Sequence, residues 1–154
     1  MQLFSLILMV AALTTIDVKL PSGKVLKVEV AKGDDIAKGL LGRESLPMDS
    51  GLLLAYPGDV QTKYNLMGYR FSIDILYIDE SKTIVNLKEN AAPCRTPECG
   101  YPSNWPYRYA LMLPAGTVKR LNIHAGDMLS FNVPGETVSS TPKTTKSTIR
   151  LTVP

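Results

Sequence analysis

The chain has 154 residues, 45% of them hydrophobic and 20% charged, with a net charge of +3. That length makes one domain, able to bury about 70% of the surface its unfolded form exposes. Its basic and acidic residues are interleaved rather than clustered, which excludes the footprint of a nucleic-acid binder, and eleven glycines with eleven prolines suit a β-rich fold with many turns.

Residues 1–15 carry no charged side chain, and residues 3–13 are apolar except for Ser5. This is the length of a signal-peptide core and too short to span a bilayer, so no stable transmembrane span is expected. Val10 and Ala12 fit the small-residue positions of a cleavage site near Ala12, and no cysteine follows to carry a lipid. The chain therefore reads as exported, periplasmic or extracellular. The competing reading is a buried first element of the domain itself.

A single β-rich domain is expected over residues 16–134. Ile16, Val18 and Leu20 alternate with Asp17 and Lys19, Pro21-Ser22-Gly23 turns the chain, and Leu26, Val28 and Val30 alternate on the return. Asp34 or Asp35 is placed to cap a short helix that Gly42 closes. Residues 52–56, 60–67 and 71–78 read as strands, with the break at Gly68. The turn Asp79-Glu80-Ser81-Lys82 leads into a partner strand over 83–88. Further strands are expected over 107–113 and 128–133, with a short helix over 116–121 between them. Residues 135–154 shift to Thr, Ser and Lys and read as a tail whose last five residues could add an edge strand.

The central segment, residues 64–79, holds one residue out of place. With a two-residue period, Ile73, Ile75 and Tyr77 point one way, while Ser72, Asp74, Leu76 and Ile78 point the other. Both faces are apolar around the middle, so Asp74 sits where a carboxylate is costly. Arg43, just past the helix stop, is the candidate partner, since a guanidinium grips a carboxylate with two bonds. The pair reads first as a structural anchor. The alternative is a catalytic acid, with Glu89, close after the returning strand, the one candidate second carboxylate.

Cys94 and Cys99 in an exported chain read as a disulfide closing a small loop. A zinc site would need two more ligands, and His124 is the only histidine, so no metal is expected. His124 itself reads as a turn residue, with Asp127 stabilising that turn. Phosphate-binding loops and the G-x-G-x-x-G pattern are absent, so no cofactor is expected. The stretch between Glu89 and Pro106 has no period and carries four prolines, Tyr101 and Trp105. Long ordered loops of this kind are commonly functional. Tyr101, Ser103, Asn104 and Trp105 are the candidate ligand-binding residues, joined by Met67 from the central segment. Tyr107 and Tyr109 are expected to share a core face with Leu111 and Leu113.

Three segments resemble one known family: GLLGRESLP (39–47), LMGYRFSIDILYID (66–79), and the run from Pro93 through Tyr101-Pro102-Ser103 and Tyr109 to Ala115-Gly116 and Gly126-Asp127. The family is domain of unknown function number 192, small exported or membrane-anchored bacterial and archaeal domains. The resemblance covers residues 28–133. It implies a compact all-β domain, sandwich-like or jelly-roll-like, with one or two short helices, and no agreed activity. Relatives usually read Trp-Met-Lys-Asn where this chain has Leu66-Met67-Gly68-Tyr69, so polar groups suited to a ligand are replaced here.

The expected function is a non-catalytic module that binds a small molecule or glycan, because no acid and base stand at a recognisable spacing. The alternatives are an envelope hydrolase using Asp74, and an accessory domain that contacts a partner protein.

Overall fold

The alternation on either side of Pro21-Ser22-Gly23 folds into an antiparallel hairpin of β1 (Thr14–Lys19) and β2 (Val25–Ala31), in register from Thr14↔Val30 to Lys19↔Val25. The computed structural model describes residues 12–136. Most of the apolar stretch over 1–15, and residues 137–154 of the tail with its edge strand, lie outside the described residues. β1 begins two residues before the domain start expected at Ile16.

Helix α1 (Asp34–Lys38) is one turn long and has no side-chain cap. Gly33 takes the capping position, and Asp34 and Asp35 stand in the first turn, where negative charge is favourable. The helix stops at Gly39 rather than at Gly42. Gly39 has φ +48, and a Cβ there would lie 2.4 Å from the Tyr69 hydroxyl, so both backbone and space call for glycine.

β3 (Ser50–Val60) runs parallel to β2 and antiparallel to β6 (Tyr107–Pro114). It passes through Pro57 instead of ending there. Between Ala55 and Val60 its pairing with β6 slips, so the proline falls in an irregular stretch where no ladder bond is lost. A Cβ on Gly51 would lie 2.7 Å from the Met112 carbonyl oxygen, which is why β3 can lie so close to β6 there. β4 (Ile73–Ile78) pairs with β6 on one side and β5 (Ile84–Ala91) on the other, both antiparallel. Helix α2 (Thr117–Arg120) follows β6.

The six strands form one mixed sheet in the order β1-β2-β3-β6-β4-β5. The β-rich class with two short helices is as expected, but among the described residues the strands do not divide into the two facing sheets of a sandwich or jelly roll. Residues 128–133 keep strand-like burial, with Leu129, Phe131 and Val133 inward, yet pair only at single points. Ser130 bridges Lys19 near one edge of the sheet and Met128 bridges Thr83 near the other. Of the strand expected over 60–67, Val60 ends β3, paired with Tyr107, and residues 61–67 form no ladder, Tyr64 bridging Tyr101 alone.

Each face of the sheet carries its own core. One gathers Val18, Leu26, Val28, Leu76, Ile78 and Leu111 under Leu129 and Phe131. The other gathers Leu52, Leu54, Ile73, Ile75, Tyr77 and Tyr107. The six residues of β4 are buried throughout, with the two faces divided as the period predicts.

Candidate functional site

Asp74 is fully buried, and Arg43 is not its partner. Arg43 pairs with Glu29, each about a third exposed. The Asp74 carboxylate instead accepts two backbone N–H groups at 2.9 Å, from Asn90 to Oδ1 and from Val118 to Oδ2. Both donors are products of local backbone shape. Between Ile73↔Ala91 and Ile75↔Lys88, β5 has one more residue than β4, and Asn90 takes φ +50 in that bulge. Val118 lies in the first turn of α2, whose N–H groups have no partner within the helix. One carboxylate thus ties β4, β5 and α2 together. Glu89 is exposed beside the bulge while Asp74 is sealed, so the two do not form an acid–base pair at a surface.

The proline-rich loop lies against the other core. Cys94 and Cys99 form a disulfide with Cα atoms 5.6 Å apart. The Asn65 side-chain amide donates to the carbonyls of Thr96, Pro97 and Cys99, at 3.1, 3.1 and 2.7 Å. The Tyr101 backbone exchanges hydrogen bonds with Tyr64, and its hydroxyl donates to the Ala92 carbonyl at 2.7 Å. Beneath the loop, Tyr77 and Tyr107 meet edge to face at 5.0 Å and both approach the Tyr64 ring at 6.1 Å. Tyr77 donates to the Tyr101 carbonyl at 2.6 Å, and Tyr107 to that of Thr62 at 2.7 Å. Burial raises the pKa of Tyr64 and Tyr77 far above the phenol range and pushes Tyr107 up to about 12.

Tyr107 and Tyr109 are both core residues but do not share a face. Past the slip in the β3–β6 pairing, Tyr107 lies in the phenol cluster. Tyr109 packs edge to face on Phe131 at 5.1 Å in the opposite core, where burial raises its pKa and the Glu136 carboxylate adds to the shift.

Of the five candidate ligand-binding residues, the structure brings only Trp105 to a cleft. Trp105 is 63% exposed and lines a shallow cleft of ≈ 370 Å³ with Pro106, Asp79 and Val85. Ser103 is buried, and its hydroxyl is spent locally: it donates to the Trp105 carbonyl at 2.7 Å and accepts the Trp105 N–H at 3.2 Å. That turn holds the Trp105 backbone. Asn104 is exposed and Tyr101 half-buried, neither lining the cleft. Met67 is exposed outside it, next to Gly68, whose Cβ position lies 3.0 Å from the Leu41 side chain. In the Leu66-Met67-Gly68-Tyr69 segment, Leu66 is buried and the Tyr69 hydroxyl accepts the Leu40 N–H at 3.2 Å.

Asp79 and Val85 were not singled out by sequence as cleft residues. Asp79 read only as a turn former, and Oδ1 does that work, accepting Ser81 Oγ at 2.6 Å and the Thr83 N–H at 3.0 Å. Oδ2 takes no hydrogen bond among the described residues. The signal lies in the pairing of Ile78 with Tyr109, which sets the turn after β4 beside the chain entering β6. His124 is exposed, and its N–H donates to Asp127 Oδ2 at 2.8 Å, the turn-stabilising role expected of Asp127. Among the described residues, no helix is long and apolar enough to cross a membrane.

Residues 17–131 match the family DUF192, described as "Uncharacterized ACR". Two crystal structures share the fold. One, from Sinorhizobium meliloti 1021 and described as a candidate transcription regulator, is 31% identical, with a TM-score of 0.71 over 78% of this chain and 95% of that one. The other, a protein of unknown function from Novosphingobium aromaticivorans DSM 12444, is 24% identical, with a TM-score of 0.68 over 77% of this chain and 84% of that one. No functionally curated protein matches the chain.

Proposed function

Taking as premise that the chain belongs to the DUF192 family across residues 17–131, we propose that it is an exported, non-catalytic module that binds a small molecule or glycan at the Trp105 cleft. The observation that carries this reading is a tryptophan 63% exposed on a loop tied down by the Cys94–Cys99 disulfide and by bonds from Asn65 and Ser103. An indole held out to solvent offers a flat apolar face for a sugar ring or similar ligand, and a locked loop loses little entropy on binding. Asp79 Oδ2 supplies a hydrogen-bond acceptor on the same cleft. A disulfide in a small domain supports an oxidising compartment. Cleavage near Ala12 would leave β1, which starts at Thr14, intact.

A hydrolase built on Asp74 has little support. A general acid or base must come within hydrogen-bond reach of its substrate, whereas this carboxylate is fully buried with both oxygens engaged. The regulator description belongs to the S. meliloti protein, and the interleaved charges here supply no basic face to carry that role over.

Trp105 is the sole tryptophan, so its own fluorescence reports on the cleft. Titrating the domain with monosaccharides and short oligosaccharides should change that emission saturably and raise the melting temperature. The thermal shift should shrink in Trp105→Ala and persist in full in Asp74→Asn, provided that variant folds. A thermal shift left unchanged by Trp105→Ala would move binding away from the cleft.

A further inference from the structure

A second concavity, of ≈ 390 Å³, lies between the β1–β2 turn and the exit of α2, and shares no residue with the Trp105 cleft. Its volume falls at the lower end of the range typical of small-molecule sites. Its floor is apolar: Leu20 and Ile123 are buried in the aliphatic core and Leu121 is half-buried against it. Its rim is polar, carrying Ser22, Asn122, His124 and Asp127.

The walls are built before any ligand arrives. After α2, Ile123 N–H donates to the Val118 carbonyl at 2.9 Å and Asn122 N–H to that of Lys119 at 3.3 Å. With Asn122 at φ +53, this is a helix stop of the Schellman type, tied down by Val118 and Ile123 in the same core. The turn at Pro21 is closed by Leu20 N–H to Lys24 O at 2.8 Å and Gly23 N–H to Leu20 O at 2.9 Å. His124 and Asp127 close the third wall, Asp127 N–H donating to the His124 carbonyl at 3.1 Å and Asp127 Oδ2 accepting the His124 N–H.

Rim side chains complete the backbone's bonding, Asp127 Oδ2 at the His124 N–H and Ser22 Oγ at the Lys24 N–H, and what remains for a ligand is their unused side-chain chemistry. Ser22 offers a hydroxyl, Asn122 an amide, His124 an imidazole and Asp127 its second oxygen. Donors and acceptors are mixed, the single fixed charge is negative, and neither lysine nor arginine lines the wall. A phosphate or carboxylate ligand would meet that carboxylate with no compensating cation. No aromatic carbon ring lines the wall to stack a base.

We propose that this concavity binds a neutral polyhydroxylated ring, of the sugar or cyclitol class, with its C–H face on Pro21 and Leu121 above the buried Leu20 and Ile123, and its hydroxyls on the four rim side chains. The proposal stands independently of the Trp105 reading.

His124 is the only histidine, so its imidazole C–H resonances form a unique reporter. The full chain is titrated separately with myo-inositol, D-glucose, sodium phosphate and sodium acetate, at fixed pH and ionic strength. A saturable shift with a polyol in the millimolar range is expected, with none from either anion. Ser22→Phe, on an exposed turn, should weaken the apparent Kd by about tenfold or more. Asn122→Gly keeps the positive φ, removes the amide, and should weaken it several-fold, while Trp105→Ala should leave it unchanged. Backbone amide spectra establish that each variant is folded. A saturable shift with phosphate or acetate, a polyol shift that survives Ser22→Phe or disappears in Trp105→Ala, or no saturable shift up to about 100 mM would each overturn the proposal.

Discussion

On one face of β4 the Asp74 carboxylate is held by two backbone N–H groups among aliphatic neighbours, whereas on the other Tyr77 donates its hydroxyl to the Tyr101 carbonyl within a cluster of phenols. Both faces bury polar atoms, and no buried side-chain nitrogen or oxygen among the described residues lacks a partner. The consequences of removing them differ. The carboxylate serves two donors from two other elements, so its loss strands both. A tyrosine hydroxyl serves one carbonyl, and its ring remains to fill the space. The aliphatic face thus depends on one residue, and the phenol face spreads its polar bonds over several.

Asp74→Ala should produce the largest effect. It removes the charged acceptor of the buried Val118 N–H and the part-buried Asn90 N–H, bonds of about 1.5–3 kcal/mol each, so urea denaturation should show a loss of about 3 kcal/mol or more. A loss below about 1 kcal/mol would mean that the carboxylate does not staple the three elements. Tyr77→Phe should cost only about 1 kcal/mol, one hydrogen bond with the ring retained. A cost equal to that of Asp74→Ala would erase the contrast between the faces.

The phenols also set a pH limit. The pKa values of Tyr56, Tyr64, Tyr69, Tyr77, Tyr107 and Tyr109 are all raised, with burial the leading cause in each. An acid whose folded pKa lies above its unfolded value of about 10 binds protons more tightly when folded. Its stabilising contribution is fully present below about pH 10 and is lost as pH rises toward the folded values. Phenolate absorbance at alkaline pH should therefore appear together with loss of the circular dichroism signal. Most tyrosines ionising near pH 10 with the fold intact would contradict the burial described here. The smallest effect is expected for Arg43→Ala. Its pair with Glu29 is about a third exposed, and such pairs contribute about 0.2–1 kcal/mol. A loss comparable to that of Asp74→Ala would restore Arg43 as an anchor.

How far residue order carried the reading differs between these features. The division of β4 into two faces was legible because a buried strand alternates with period two and nothing interrupts residues 73–78. Tyr107 and Tyr109 broke the same rule: across the irregular stretch opposite β3 they fall in different cores, and no residue type in β6 marks that stretch. The partner of Asp74 was illegible for a related reason. Arg43 carries a visible charge, whereas the real partners are main-chain N–H groups, freed by a bulge at Asn90 and a helix start at Val118. Every residue but proline has such a group, so only the folded backbone shows which ones are free. The disulfide was legible because two cysteines in one short loop leave few alternatives.

Sequence alone determined the β-rich class, the hairpin around Pro21-Ser22-Gly23, the two short helices, the burial of Asp74 and the family. These follow from local period, turn chemistry and a motif order that survives without knowledge of the third dimension. Tertiary structure decided that the strands share one sheet, that Ser103 is spent on its own turn, and that Asp79 and Val85 join Trp105 across a cleft. It also decided what Asp74 is for. Burial is a property that a residue's neighbours in sequence can announce, but a hydrogen-bond partner 16 or 44 positions away is set by how the strands and helix pack.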